Sequence, residues 1–227
     1  MSLLQLVDVG RSYEMGAEQV NALRGVSMTV NEGDFVAIIG PSGSGKSTMM
    51  NILGCLDRPT SGRYVIDGRD VGSLDDNELA AIRSQTIGFV FQNYSLLPGT
   101  SAVDNVATPL LYQGVPRRAR HERAAVQLDR LGLGGRLGHE PTQMSGGEQQ
   151  RVAIARALVT NPAVLLADEP TGNLAVRQGE EVIALFTELH RAGRTIILIT
   201  HNPEVAAVAS RRVYLRDGTI VATEAAA

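Results

Sequence analysis

An apolar run over residues 34–39 breaks directly into Gly40-Pro41-Ser42-Gly43-Ser44-Gly45-Lys46-Ser47-Thr48, and residues 47–53 then read as a helix. A strand, a glycine-rich turn and a helix in that order leave few folds open. The glycines let backbone N–H groups turn inward, and the positive end of the helix dipole faces the same point. Gly40-x4-Gly45-Lys46-Ser47 is the pattern of a phosphate-binding loop. Lys46 would reach the β- and γ-phosphates of a nucleotide as a point charge, and Ser47 would offer its hydroxyl to Mg²⁺. The loop also holds the only lysine of the chain, for the 21 basic residues are 20 Arg and Lys46.

Composition narrows the class. A chain of 227 residues is long enough for a buried core, and 44% hydrophobic with 20% charged residues is ordinary for a globular protein. The net charge of −3 argues against a general nucleic-acid binder, whose affinity rests on neutralising phosphates. The single Cys55 cannot close an intramolecular disulfide and reads as a small buried side chain. No apolar stretch approaches the roughly 20 residues of a membrane helix, and the N-terminus lacks the layout of a signal peptide. The expected location is cytoplasmic, so that any membrane role comes through a partner.

Strand-like segments fall at residues 3–9, 22–30, 34–39, 62–66 and 87–91, and Asp75 and Asp76 can cap a helix reaching about residue 84. Residues 101–161 are helical in pattern, punctuated at Pro109, Gly114, Pro116, 132–138 and Pro141. Strand and helix then alternate over 163–167, 178–191, 195–200, 203–209 and 212–216, ahead of an Ala-rich tail at 225–227. Such alternation implies parallel βαβ units and an α/β core, which the helical block interrupts as a separate lobe.

Two further strings carry chemistry. Ala163-Val164-Leu165-Leu166-Ala167-Asp168-Glu169 is an apolar strand that delivers two carboxylates to the edge of a sheet. Asp168 would hold the metal and Glu169 would polarise an attacking water; alone, the string fits a capped turn as well. Met144-Ser145-Gly146-Gly147-Glu148-Gln149-Gln150-Arg151 starts a helix with a good N-cap and two glycines that leave its first amides uncovered. That makes a second anion site, far in sequence from the first.

With these strings in hand, the chain resembles the nucleotide-binding subunits of ABC transporters over essentially its whole length. Ser145-Gly146-Gly147-Glu148-Gln149 is similar to the family signature, Gln92 stands at its Q-loop, His201 at its switch histidine, and Tyr13 at the aromatic on which adenine stacks. Order and spacing agree: Ser145 follows Lys46 by 99 residues, Asp168 follows Ser145 by 23, and His201 follows Asp168 by 33. The resemblance implies a P-loop NTPase (RecA-like) α/β core with an N-terminal antiparallel β subdomain, together residues 1–92 and 162–227, and an inserted α-helical subdomain over 93–161. It implies ATP and Mg²⁺ as ligands, with Ser47, Gln92 and Asp168 toward the metal. It implies a head-to-tail homodimer in which Ser145 and Gly147 act in trans on the γ-phosphate, with Gly146 and Glu148 among the nucleotide-binding residues, while Lys46, Ser47, Gln92, Asp168, Glu169 and His201 act in cis. Two anion sites on one chain make sense if they face one triphosphate across a two-fold axis.

Residues 91–98, 103–106 and 109–112 resemble the MacB, LolD and FtsE branch, whose ATPases drive an integral membrane permease from the inner face of the membrane. The expected function is ATP hydrolysis that drives export of a lipoprotein, lipid or drug. The rivals are regulatory signalling of the FtsE kind to cell-wall hydrolases and a soluble ABC ATPase of cofactor assembly. One position departs from the family pattern: Ala175 stands where an acid usually follows Gly-Asn-Leu. Residues 116–123 form a basic cluster that reads as a solvated helix face, and His121, His139 and His190 read as surface residues without metal-ligand spacing.

Overall fold

The computed structural model describes residues 2–16 and 18–225. The chain divides into two compact units, Met1–Ile82 with Leu189–Ala227, and Arg83–Glu188. Elements are numbered in chain order.

The first unit carries an antiparallel sheet in which β1 (Ser2–Met15) pairs with β2 (Glu18–Asn31) on one side and β4 (Ser61–Ile66) on the other. The two-residue β5 (Arg69–Asp70) closes the edge. Leu4 and Leu6 on β1 and Val26, Met28 and Val30 on β2 are buried at period 2, the alternation of a sheet with one wet face, and register shifts carry the burial on to Val9 and Leu23. Both β1 and β2 run past the expected 3–9 and 22–30, because their polar ends satisfy each other: the Ser12 hydroxyl donates to Asn21 Oδ1 at 2.7 Å, and Tyr13 lies opposite Val20. Gly10 lies where β1 meets β4, and a Cβ there would lie 2.4 Å from Ser61 Oγ, so that the Ser61 hydroxyl would have to turn away.

Beside this lies parallel structure. β3 (Phe35–Ile39) pairs in parallel with β8 (Thr195–Thr200) on one side and β9 (Arg211–Arg216) on the other. Phe35, Val36, Ala37 and Ile38 are wholly buried and every residue of β8 is buried, as befits strands covered on both faces. Helices α1 (Lys46–Leu53), α2 (Asp76–Gln85) and the short α7 (Pro203–Ala206) complete the set. Asp75 caps α2 as expected, accepting from the Glu78 amide at 2.8 Å while Glu78 accepts from the Asp75 amide at 3.0 Å. One element escaped the sequence reading: β10 (Thr219–Ala225) returns antiparallel to β9 through Asp217-Gly218. Pairing with β9 is what makes this short segment a strand.

In the second unit β6 (Ile87–Val90) lies parallel to β7 (Val164–Asp168), with Ile87 level with Val164 and Val90 with Ala167. Around them come α3 (Ala102–Tyr112), α4 (Arg117–Arg130), α5 (Gly146–Leu158) and α6 (Val176–Arg191). The helical block therefore groups with β6, β7 and most of α6. Gly88 lets α5 lie directly on β6, since a Cβ would meet the Ala157 carbonyl at 2.7 Å. Pro109 does not end its helix; α3 runs through it to Tyr112, carried by the buried Val106 and Leu110. Buried Asn105 ties down the preceding loop, accepting from the Leu97 amide at 2.7 Å and donating to the Thr100 carbonyl at 3.0 Å.

The three histidines expected at the surface are half-buried and engaged. His121 pairs with Asp104 at 3.0 Å, His139 lies 3.1 Å from an Arg136 nitrogen, and His190 lies 3.0 Å from the Gly33 carbonyl with its ring edge-on to Phe35. No helix among the described residues is long and apolar enough to cross a membrane.

Candidate functional site

In the first unit, β3 delivers the chain into the glycine loop and α1 receives it. Gly45 precedes α1 at φ 101°, a conformation side chains disfavour, and a Cβ there would also meet the Ala22 carbonyl at 2.5 Å. A Cβ on Gly40 would lie 2.3 Å from the Leu215 carbonyl. The loop is thus packed on its outer side against β2 and the β9–β10 turn, where the Gly218 amide donates to the Ser44 carbonyl at 3.0 Å. Gly218 was not singled out from sequence; the Asp217-Gly218 turn dipeptide was the available signal.

The inner side of the loop faces a charge. The Lys46 ammonium donates to the carbonyls of Gly40 at 2.7 Å and Pro41 at 2.9 Å, so the side chain curls over its own loop. The first amides of α1 have no partner within the helix. Ser44 Oγ is buried and without a hydrogen-bond partner among the described residues. Backbone donors, an unpartnered hydroxyl and an ammonium around one glycine loop suit an anion with several oxygens.

Register brings His201 to the same edge. Thr200 is level with Ile39 across the β3–β8 pair, so His201 leaves β8 where Gly40 leaves β3. His201 is exposed and held between buried Thr200, whose Oγ1 accepts from the Asn202 amide at 3.1 Å, and Asn202, which caps α7. Tyr13 is fixed by neighbours that sequence did not reveal. Its hydroxyl donates to Asp57 Oδ2 at 2.7 Å, and the Arg11 guanidinium sits 4.5 Å from its ring centre while itself bridging to Asp57 at 2.8 Å.

The second unit brings the remaining residues together. With Val90 level with Ala167, Gln92 follows β6 on the edge where Asp168 ends β7 and Glu169 follows. Glu169 has φ 44°, a left-handed conformation that costs a non-glycine residue on the order of 1 kcal/mol. Its carbonyl accepts from the Gly172 amide at 3.0 Å, closing a tight turn behind β7. That turn locks onto the Gln92 loop: Asn173 Nδ2 donates to the Gln92 carbonyl at 3.1 Å and to Asn93 Oδ1 at 2.7 Å, and Gln92 Nε2 donates back to Asn173 Oδ1 at 3.4 Å. A Cβ on Gly172 would lie 2.6 Å from Gln92 Nε2.

The Ser145 segment joins the same cluster. Ser145 Oγ accepts from the Glu148 amide at 3.3 Å and Glu148 accepts from the Ser145 amide at 2.8 Å, a reciprocal cap on α5. The Ser145 amide, with Arg136 adding a 3.0 Å ion pair, holds the Glu148 carboxyl below its usual range. A Cβ on Gly146 would lie 2.9 Å from Tyr94 Oη, and one on Gly147 would lie 3.3 Å from Gln178. Gln92, the turn after Glu169 and the start of α5 are therefore one packed group. Asn173, from the Gly172-Asn173-Leu174 string, and Arg156 belong to it, and nothing in the local sequence marked Arg156.

A family model described as ABC transporter matches residues 23–172. An ABC transporter ATP-binding protein of Thermotoga maritima is 53% identical over 98% of this chain and 95% of its own length. The macrolide export ATP-binding/permease protein MacB of Rhodospirillum rubrum is 57% identical over 96% of this chain, which spans only 34% of that longer protein. Among solved structures, the ATP-binding cassette MJ0796, a dimer in a post-hydrolysis state with ADP and Pi, superposes with TM-score 0.90 at 44% identity over 99% of both chains. The chain belongs to the ABC transporter family, as one of its ATP-binding, ATP-hydrolysing cassettes.

Proposed function

We propose that this chain binds Mg·ATP on the Gly40–Thr48 loop, closes head-to-tail with a second copy, and drives a membrane permease of the MacB/LolD type. The observation that carries this reading is the glycine loop. It is packed tightly on its outer side, it has Lys46 folded over its inner side, and His201 leaves the neighbouring strand in register. Ser47 and Asp168 are the hard oxygen donors for Mg²⁺, with Gln92 contributing its amide oxygen. No cluster of three or more His, Cys, Asp or Glu among the described residues could hold a metal by itself. That agrees with an ion held largely by substrate phosphates and one or two protein ligands. When bound, Mg²⁺ neutralises charge on the phosphate oxygens.

In this reading Lys46 and the loop amides bind the phosphates, Glu169 orients the attacking water, His201 stabilises the charge that develops, and Tyr13 carries the base. Ser145, Gly146, Gly147 and Glu148 complete the site on the second copy. The dimeric state of MJ0796 supports that arrangement, and the fusion of a permease to the MacB relative supports the partner. A cleft of about 250 Å³ lined by Arg83, Phe89, Phe91, Ser95, Pro109 and Arg156 is the surface we assign to the permease. Through it the cassette resides on the inner face of the membrane. We retain residues 93–161 as the helical subdomain of this cassette.

The test is Glu169→Gln. Turnover is expected to fall by roughly three orders of magnitude, while the protein forms an ATP-dependent dimer stable enough for size-exclusion chromatography. A variant that hydrolyses ATP at the wild-type rate refutes the role given to Glu169.

A further inference from the structure

Helix α5 touches the segment after Gln92 at two places far apart on the helix. Its first turn lies against the Tyr94 hydroxyl at Gly146. Ten residues further on, about 15 Å along the axis, Arg156 donates to the Tyr94 carbonyl at 2.8 Å and, through its other nitrogen, to the Ser95 carbonyl. Tyr94 and Ser95 are both left-handed, at φ 57° and φ 49°. Neither is a glycine, so this backbone is disfavoured unless something holds it. A planar guanidinium that serves two successive carbonyls is well shaped to do so. Burial depresses the Arg156 pKa from its ordinary value, the mark of a charge drawn away from water to reach those carbonyls. On the far side, Asn173 holds Gln92 and Asn93.

We propose that Arg156 is a positioning residue that fixes the Gln92–Ser95 loop to helix α5, so that Gln92 and the Ser145–Glu148 segment move as one piece. Arg156 touches neither the nucleotide nor the reacting atoms; it acts through the backbone of Tyr94 and Ser95. Its effect on turnover rests on the roles proposed above for Gln92 and Ser145, whereas its hold on the loop stands independently of them.

Two measurements on the full chain test it. In Arg156→Gln, hydrogen exchange at the amides of residues 92–97 is expected to speed up about tenfold or more as the loop is released. The same variant is expected to lose about tenfold in kcat with KM for ATP within about twofold of wild type. Adding Ser95→Gly, which makes the left-handed backbone easy, is expected to restore part of both losses. A loss that reflected only damaged packing would not be repaired by a glycine at residue 95. Should Arg156→Gln fail to fold, Arg156→Lys decides: it keeps the charge without the fork and is expected to show smaller losses in both readouts. Wild-type exchange and kcat in the variant that folds, released amides without any loss of kcat, or no recovery on adding Ser95→Gly would each overturn the proposal. If Gln92→Ala itself turns over at the full rate, the role given to Gln92 is what fails, and the exchange measurement still decides for or against Arg156.

Discussion

Lys46 is the only lysine in a chain with 20 arginines, and its contacts explain why an arginine would serve poorly there. A compact ammonium can sit 2.7 and 2.9 Å from two carbonyls of its own loop and still swing to a phosphate. A guanidinium is larger, planar and fixed in its donor directions. Lys46→Arg is accordingly expected to lower kcat/KM for ATP by about tenfold or more, with the fold intact by circular dichroism. Near-normal turnover would contradict the assignment. Residue chemistry was also the most legible layer of the site, because Lys46, Asp168, Glu169, Ser145 and His201 sit in short strings whose spacing is local. Asp57 and Arg156 had no such strings, and the string that holds Asn173 does not show its partner. Each acts on a residue dozens of positions away, and no local pattern records that distance.

At the scale of elements, caps and turns account for what the sequence showed and what it hid. Helix α5 starts where Ser145 and Glu148 predict, because a reciprocal cap involves only four neighbouring residues. Ser145→Ala is expected to cost about 1 kcal/mol of stability. Glu148 adds a pH dependence. Its carboxyl is held below the ordinary value of 4.5, by the Ser145 amide first and with help from Arg136. The charged form therefore contributes stability that is present above that ordinary value and lost as pH falls through the lowered one. Glu148→Gln keeps a capping side chain but drops the charge. The gap in melting temperature between wild type and this variant is expected to be widest near neutral pH and to shrink under acid. A gap that does not change with pH would remove the charge from the account. By contrast β10 stayed hidden, since Thr219–Ala225 is short, has an exposed end and is fixed as a strand by its pairing with β9. The same pairing places Gly218 against the glycine loop.

For the whole molecule, a net charge of −3 and a single buried cysteine leave function to particular sites. In the function proposed above a second copy completes the site, and Ala175 bears on that requirement. Its carbonyl accepts from the Gly179 amide at 2.9 Å, so it occupies the N-cap of α6, and it is exposed. An aspartate there would cap α6, adding up to about 1 kcal/mol, and would restore the acid that the family pattern places after Gly-Asn-Leu. Ala175→Asp is expected to raise the basal ATPase rate or its Hill coefficient. Steady-state kinetics that match wild type in both would show that the acid has no part in coupling the two copies.

The chemistry was already written in short strings of residues: a glycine loop with one lysine, a strand ending in two acids, a capped helix behind Ser-Gly-Gly, and with them the α/β class. Those are properties of neighbouring residues, where steric freedom, hydrogen-bond donors and periodicity are already specified. Which side chains hold these strings in place was settled by folding alone. Strand register set His201 level with Gly40, and Gln92 on the edge where β7 ends, because pairing between distant strands aligns their ends. Close packing gave Gly40 and Gly88 their purpose, since the backbone carbonyl pressed against each leaves no room for a Cβ. Arg156 reached the loop after Gln92 for the same reason. Its partners are backbone carbonyls, which every residue carries, so only the fold could say which two it would find.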